Sequence, residues 1–289
     1  MAPGNKQFGI FPAPLAADFH EIVRMVQLAD ELGLDLVGVQ DHPYQRRFLD
    51  TFTLIPVLLA RTERITFFPD VANLPLRGAS MLAKAAASMD VMFPGRFQLG
   101  MGAGAFPEAA AGLGFPKLNP GQAVDAFEEA VEVIRLLWSG DRGLRFDGQH
   151  YWLAGTHSGP VPITAIEIWT GAGGPRMLEI TGRLCDGWVP SSSWAVPEKL
   201  PAFHRQIDEA AEAAGRDPAA IRRIYNIAGR ITPEPAAGFL TGPQDHWVEQ
   251  IQMLSGEYRM DSFVLMLGDD AEKQVRAFAE VAAEFRSRA

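Results

Sequence analysis

Cysteine is almost missing from this chain. Cys185 is the single one in 289 residues, which excludes an intramolecular disulfide and any thiolate-rich metal site. Cations are also in deficit: Lys and Arg number 26 against 35 Asp and Glu, a formal net charge of −9. That is the wrong balance for gripping a nucleic-acid backbone or an anionic membrane, because both need clustered positive charge. No apolar run reaches the roughly 18 residues that cross a bilayer. The proline-broken start, MAPGNKQFGIFPAPLA, lacks the basic-then-apolar order of a signal peptide. The six histidines show no HExxH or comparable ligand spacing, so no metal site is expected. No GxSxG nucleophile elbow occurs either, and Cys185, in RLCDG, reads as a buried apolar residue rather than a nucleophile. What remains is a cytoplasmic protein whose partners are small molecules.

What is present is a core. With 47% hydrophobic and 21% charged residues, the chain can fold without covalent or metallic staples. Short β-rich runs alternate with amphipathic stretches. Strands are expected at 7–11, 36–40, 65–70, 97–101, 166–170, 187–190, 223–231 and 262–267. Helices are expected at 18–32, 51–60, 79–92, 123–138, 175–183, 197–214, 244–255 and 271–288. Eight strand–helix units imply a parallel sheet and close most naturally into one α/β domain, a (β/α)₈ barrel over 1–289, in preference to an open doubly wound sheet. Residues 140–162 read as a hairpin-like insertion between the fourth helix and the fifth strand.

In such a barrel the chemistry collects where strands end, at the C-terminal mouth. The second strand runs into Gln40-Asp41-His42-Pro43-Tyr44. His42 is the side chain most easily tuned to exchange a proton near neutral pH, although an Asp-His pair also serves as a capped, solvated turn. The third strand leaves through Asp70-Val71-Ala72-Asn73-Leu74-Pro75, small and amide residues that let a flat ligand approach the backbone, although taken alone the segment reads more simply as a strand followed by a proline turn. The fourth ends in Gly100-Met101-Gly102-Ala103-Gly104-Ala105. Gly100, Gly102 and Ala105 nominally fit a dinucleotide fingerprint, but Phe106-Pro107 and GLGFP break the helix that fingerprint needs. These glycines instead clear space above the barrel. The fifth strand enters Thr170-Gly171-Ala172-Gly173-Gly174-Pro175-Arg176 and then a helix. That combination suits an anion, with Arg176 as a charged contact to phosphate; its bland counterpart is a tight turn with a surface arginine.

The segments QFGIF, LADELGLDLVGVQDHPY, RTERITFFPDVANLPLRGASMLAKAAASMD, GRFQLGMGAG and IWTGAGGPRMLEITGRLCDGW, in this order over most of the chain, resemble the bacterial luciferase-like (β/α)₈ superfamily of flavin- and deazaflavin-dependent oxidoreductases. QDHPYQRRFLDTFTLI looks like the branch that uses coenzyme F420. The resemblance implies that Asp41 and His42 contact the cofactor, with His42 exchanging a proton. It implies that Val71, Ala72 and Asn73 include a bulge, often with a non-prolyl cis peptide, that supports the ring from behind. It also implies cofactor contacts at Gly102 and Gly104, and a phosphate-binding turn over Gly171, Ala172, Gly173, Gly174 and Arg176. Phe11, Tyr44, Phe106 and Trp194 are candidates for the apolar wall. Relatives commonly dimerise through helices near the second and third strands, so helix 79–92 is a candidate interface, though its Ala- and Met-rich face equally suits packing on the barrel. One departure stands out: where some relatives carry an acid and then an amide after the fourth-strand glycines, this chain has Ala105 and Glu108, which argues against oxidation of a sugar phosphate. The function implied is F420-dependent hydride transfer to or from a small organic substrate. The alternatives are an FMN-dependent monooxygenase supplied by a flavin reductase, and a barrel that binds a flavin or deazaflavin without turnover.

Overall fold

The computed structural model describes residues 6–288; the first five residues of the proline-broken start lie outside them. Eight parallel strands form the centre: β1 (Gln7–Phe11), β2 (Leu36–Val39), β3 (Thr66–Pro69), β4 (Leu99–Gly102), β5 (Ile168–Thr170), β6 (Gly187–Trp188), β7 (Arg222–Ile227) and β8 (Ser262–Met266). Each is followed by a principal helix: α1 (Phe19–Glu31), α2 (Thr51–Leu59), α3 (Ala79–Met92), α4 (Pro120–Trp138), α5 (Pro175–Leu184), α6 (Leu200–Ala213), α7 (Gln244–Gly256) and α8 (Ala271–Arg288). The order in the sheet is β3-β2-β1-β8-β7-β6-β5-β4. The sheet then returns towards its start, because a two-residue strand just beyond β3, Ala72–Asn73, pairs with β4, and Phe67 bridges Phe97. The barrel expected from the strand–helix rhythm is therefore present.

Two apolar layers hold it. Phe11, Phe68, Trp169, Val189, Ile224 and Val264 form a cluster inside the barrel; the alternate residues of the same strands face the helices. Phe8, for example, packs edge-on against Phe278 and Phe285 of α8, with ring centroids 5.8 and 5.5 Å away. Burying one such ring contributes about 1.5–3 kcal/mol, and the period-two alternation along each strand decides which layer it joins.

Several boundaries move for local reasons. The expected strand 223–231 stops at Ile227. Arg230–Ile231 instead pairs with Thr241–Gly242 in a separate two-stranded sheet. Gly229 lets the backbones meet there, since a Cβ would lie 2.1 Å from the Leu240 carbonyl oxygen. Helix α4 starts at Pro120 rather than 123 because Asn119 and Gln122 form a reciprocal capping box before it. The strand at 166–170 begins at Ile168, and the one at 187–190 is regular only through Trp188, though Val189 and Pro190 keep backbone bonds to Thr170 and Asn226. The insertion is a hairpin of Leu144–Asp147 and Trp152–Thr156. One carboxylate on α4, Glu129, fastens its turn by accepting the amides of Gln149, His150 and Tyr151 at 2.8–2.9 Å. No helix among the described residues is long and apolar enough to cross a membrane.

Candidate active site

A cavity of about 540 Å³ opens at the C-terminal ends of the strands. Its shape begins with β2. Past Val39 the chain turns through Gln40, whose carbonyl accepts the Thr51 hydroxyl at 2.6 Å, and presents Asp41 and His42. Asp41 is almost completely buried, and its carboxylate is fully engaged. It accepts the Asn73 amide at 2.8 Å and Arg77 Nε at 2.7 Å, with Arg77 Nη2 on the second oxygen. Arg77 also reaches Asp50, 2.6 Å away, and lies over the Phe52 ring. A charge buried this deeply persists only when paired and hydrogen-bonded. Asp41 therefore ties the β2 loop to the Ala72–Asn73 segment and acts as a positioning residue for its neighbour.

That neighbour is His42. Its ring is half-buried among aromatics, 5.2 Å from Tyr44 in a stacked arrangement and 5.5 Å from Phe106 edge-on. Burial lowers its pKa below the ordinary 6.5, with Asp41 pulling weakly the other way. The imidazole is thus neutral at pH 7 and free to accept a proton. No other described residue takes either ring nitrogen.

The floor is the bulge after β3. The Asp70–Val71 peptide is cis, as the resemblance implied. Val71 projects towards β4 and β5, where glycines make room for it. A Cβ at Gly102 would stand 2.8 Å from a Val71 methyl, so only glycine tolerates this approach. Gly104 adds a left-handed turn, with φ +97°, against Pro75. The far wall is Trp194, packed over Gly173 so closely that a Cβ there would sit 3.0 Å from the indole.

Asp41, His42, Val71, Ala72, Asn73, Gly102, Gly104, Gly171, Ala172 and Gly173, spread over four strand ends, all line this one cavity. So do Phe11, Tyr44, Phe106 and Trp194. Two expected residues do not. Gly174 caps the start of α5 outside the lining. Arg176 is 56% exposed and paired with Asp125 of α4 at 2.6 Å, because a carboxylate one helix away competes for it directly. Glu108 points away from the cavity and pairs with Lys117.

The sequence reading missed two polar groups at the floor, Asp70 and Asn226. Asp70 Oδ2 and Asn226 Oδ1 are buried without a hydrogen-bond partner, as is the Tyr44 hydroxyl. Burial pushes the Asp70 carboxyl up to about 7, with Asn226 pulling it down. Its one visible signal was a charge ending an otherwise apolar strand, TFFPD. Asn226 sat inside a run read only as strand. Buried orphaned polar atoms beside a glycine-cleared apolar platform are what a planar heterocycle with its own polar edge requires. The residues present therefore fit a flavin or deazaflavin ring.

Comparison with known proteins agrees with this geometry. The model of the luciferase-like monooxygenase family matches residues 5–237. An F420-dependent glucose-6-phosphate dehydrogenase from Gordonia bronchialis is 33% identical over 227 residues, covering 75% of this chain and 66% of that protein. Its namesake from Nocardia farcinica is 34% identical over 216 residues, covering 72% and 63%. The chain thus spans just under two thirds of the length of these relatives. In fold, an F420-dependent secondary alcohol dehydrogenase in complex with an F420–acetone adduct superposes with a TM-score of 0.87 over 98% of this chain and 99% of that one, at 18% identity. With most of its length matched, its barrel closed and its site at the expected strand ends, the chain belongs to the luciferase-like monooxygenase family.

Proposed function

We propose that the chain is a coenzyme F420-dependent oxidoreductase acting on a small organic substrate. The observation that carries this reading is the Val71 platform facing the His42–Tyr44–Phe106 ring cluster, with a neutral imidazole at its edge. The relatives' F420-dependent dehydrogenase activity supports it. F420, when bound, supplies a carbon that accepts or donates hydride; the protein contributes position and electrostatics. Val71, Ala72, Gly102 and Gly171 carry the flat ring. Asp70 and Asn226 offer polar atoms below it. The backbone of Gly171–Gly173 and the N-terminus of α5 take phosphate, without Arg176. His42 accepts the proton of a substrate hydroxyl during oxidation and returns it during reduction. The aromatic cluster and Trp194 exclude water from these groups.

The test is a paired titration with F420 and FMN. Tighter F420 binding is expected; preference for reduced FMN together with oxygen consumption overturns the reading in favour of a monooxygenase.

We further infer a homodimer and a cytoplasmic location. Met81, Val91 and Met92 of α3 leave apolar surface exposed on the helix expected to pair, and no helix among the described residues is long and apolar enough to cross a membrane. Light scattering is expected to give the mass of a pair of 31.6 kDa chains. A single-chain mass at micromolar concentration contradicts the pairing.

A further inference from the structure

Resting on the deazaflavin reading, the lining of the site narrows the substrate. The cavity presents no lysine or arginine among the described residues. Its carboxyl groups are Asp41 and Asp70, and Arg77, the cation bound to Asp41, is held between two carboxylates. A second phosphate, carried by the substrate and lying away from the Gly171–Gly173 backbone assigned to the cofactor, would lose its hydration and find no free cation in this lining.

A second cavity of about 390 Å³ shares Asn73, Ala103, Gly104, Ala105 and Phe106 with the first. Beyond them it is walled by apolar residues, among them Pro75, Ala110, Leu118, Pro120, Ala123 and Val124. No charged side chain lines it. An anionic cofactor tail is no better suited to that chamber than a phosphate, whereas a hydrocarbon chain is. Ala105, with only a methyl group, stands in the shared wall between the two spaces.

We propose that the substrate is an uncharged alcohol, or its carbonyl counterpart, whose apolar chain of several carbons passes Ala105 and Phe106 into the second cavity. Each methylene buried there strengthens binding by about fourfold, the equivalent of about 0.8 kcal/mol. Affinity is therefore expected to climb with chain length until the chamber is full.

Isothermal titration of the whole protein, with and without saturating F420, against alkan-2-ones of increasing length and against glucose 6-phosphate, tests this. The expected result is a rise of roughly three- to fourfold per methylene with no measurable glucose 6-phosphate binding. Ala123→Phe, which fills the second cavity, flattens the rise; if circular dichroism shows that variant unfolded, Val124→Phe replaces it. A flat series in the native protein, or glucose 6-phosphate binding more tightly than the ketones, overturns the inference. Failure of F420 itself to bind, with the chain-length rise intact, sinks the deazaflavin reading and leaves the chamber assignment standing. F420 binding with a flat series does the reverse.

Discussion

His42→Ala is expected to lower turnover by roughly 10²- to 10⁴-fold, the usual contribution of a positioned acid–base group, while leaving the fold and cofactor affinity nearly intact. His42 is half-buried at the cavity wall, with neither ring nitrogen engaged by another described residue, so truncation leaves no orphaned protein group behind. The pH profile supplies an independent readout. Burial depresses the His42 pKa below 6.5, so substrate oxidation is expected at full rate near neutrality, with activity lost as pH falls through that lowered value. In the alanine variant this acid limb disappears. Steady-state kinetics from pH 5 to 8 decide the matter: unchanged turnover with the acid limb retained would make the imidazole a mere part of the lining.

The second large effect concerns Asp70. Its carboxyl is driven from the ordinary 3.8 to about 7 by burial. The folded state therefore holds a proton that the unfolded chain has already released. Stability falls as pH rises from about 4 to about 7, because folding must reprotonate the group or bury its charge. Asp70→Asn removes this penalty while keeping shape, and its amide can donate to the orphaned Asn226 Oδ1. The variant is expected to match the native protein below pH 4 and to exceed it by about 4 kcal/mol above pH 7, since each tenfold change in proton affinity is worth about 1.4 kcal/mol. At roughly 2–4 °C per kcal/mol for larger domains, thermal melts should separate by about 10 °C in alkaline buffer. A gap that does not change with pH would mean that Asp70 ionises normally.

Much of this was legible from the chain. The eight strand–helix repeats predicted the barrel because apolar periodicity is a local property, and strand ends fall where periodicity stops. Gly102, Gly104 and the Gly171–Gly173 turn were legible for a related reason, since glycine marks backbone that must turn or come close. Charge pairing was not. Arg176 sits beside a glycine turn in sequence, yet Asp125, 51 residues earlier, holds it. Asp41 looked like half of an acid–base pair until Arg77 and the Asn73 amide, 36 and 32 residues away, were seen to consume it. Asp70 and Asn226 lie 156 positions apart by their numbers and meet only because the barrel sets β3 and β7 around one axis. Long-range partners of this kind are set by the closed topology, and a single sequence contains no signal for them.

That the β3 bulge and its surrounding rings hold a deazaflavin is tested most directly by titrating the purified protein with F420 and FMN in parallel. Trp194, packed against Gly173 at the cavity wall, provides the fluorescence signal. Saturable quenching by F420 at one equivalent per chain is expected, with FMN binding more weakly and Trp194→Phe, one of six tryptophans, reducing the signal. FMN binding more tightly than F420, or no saturable F420 binding, would contradict it.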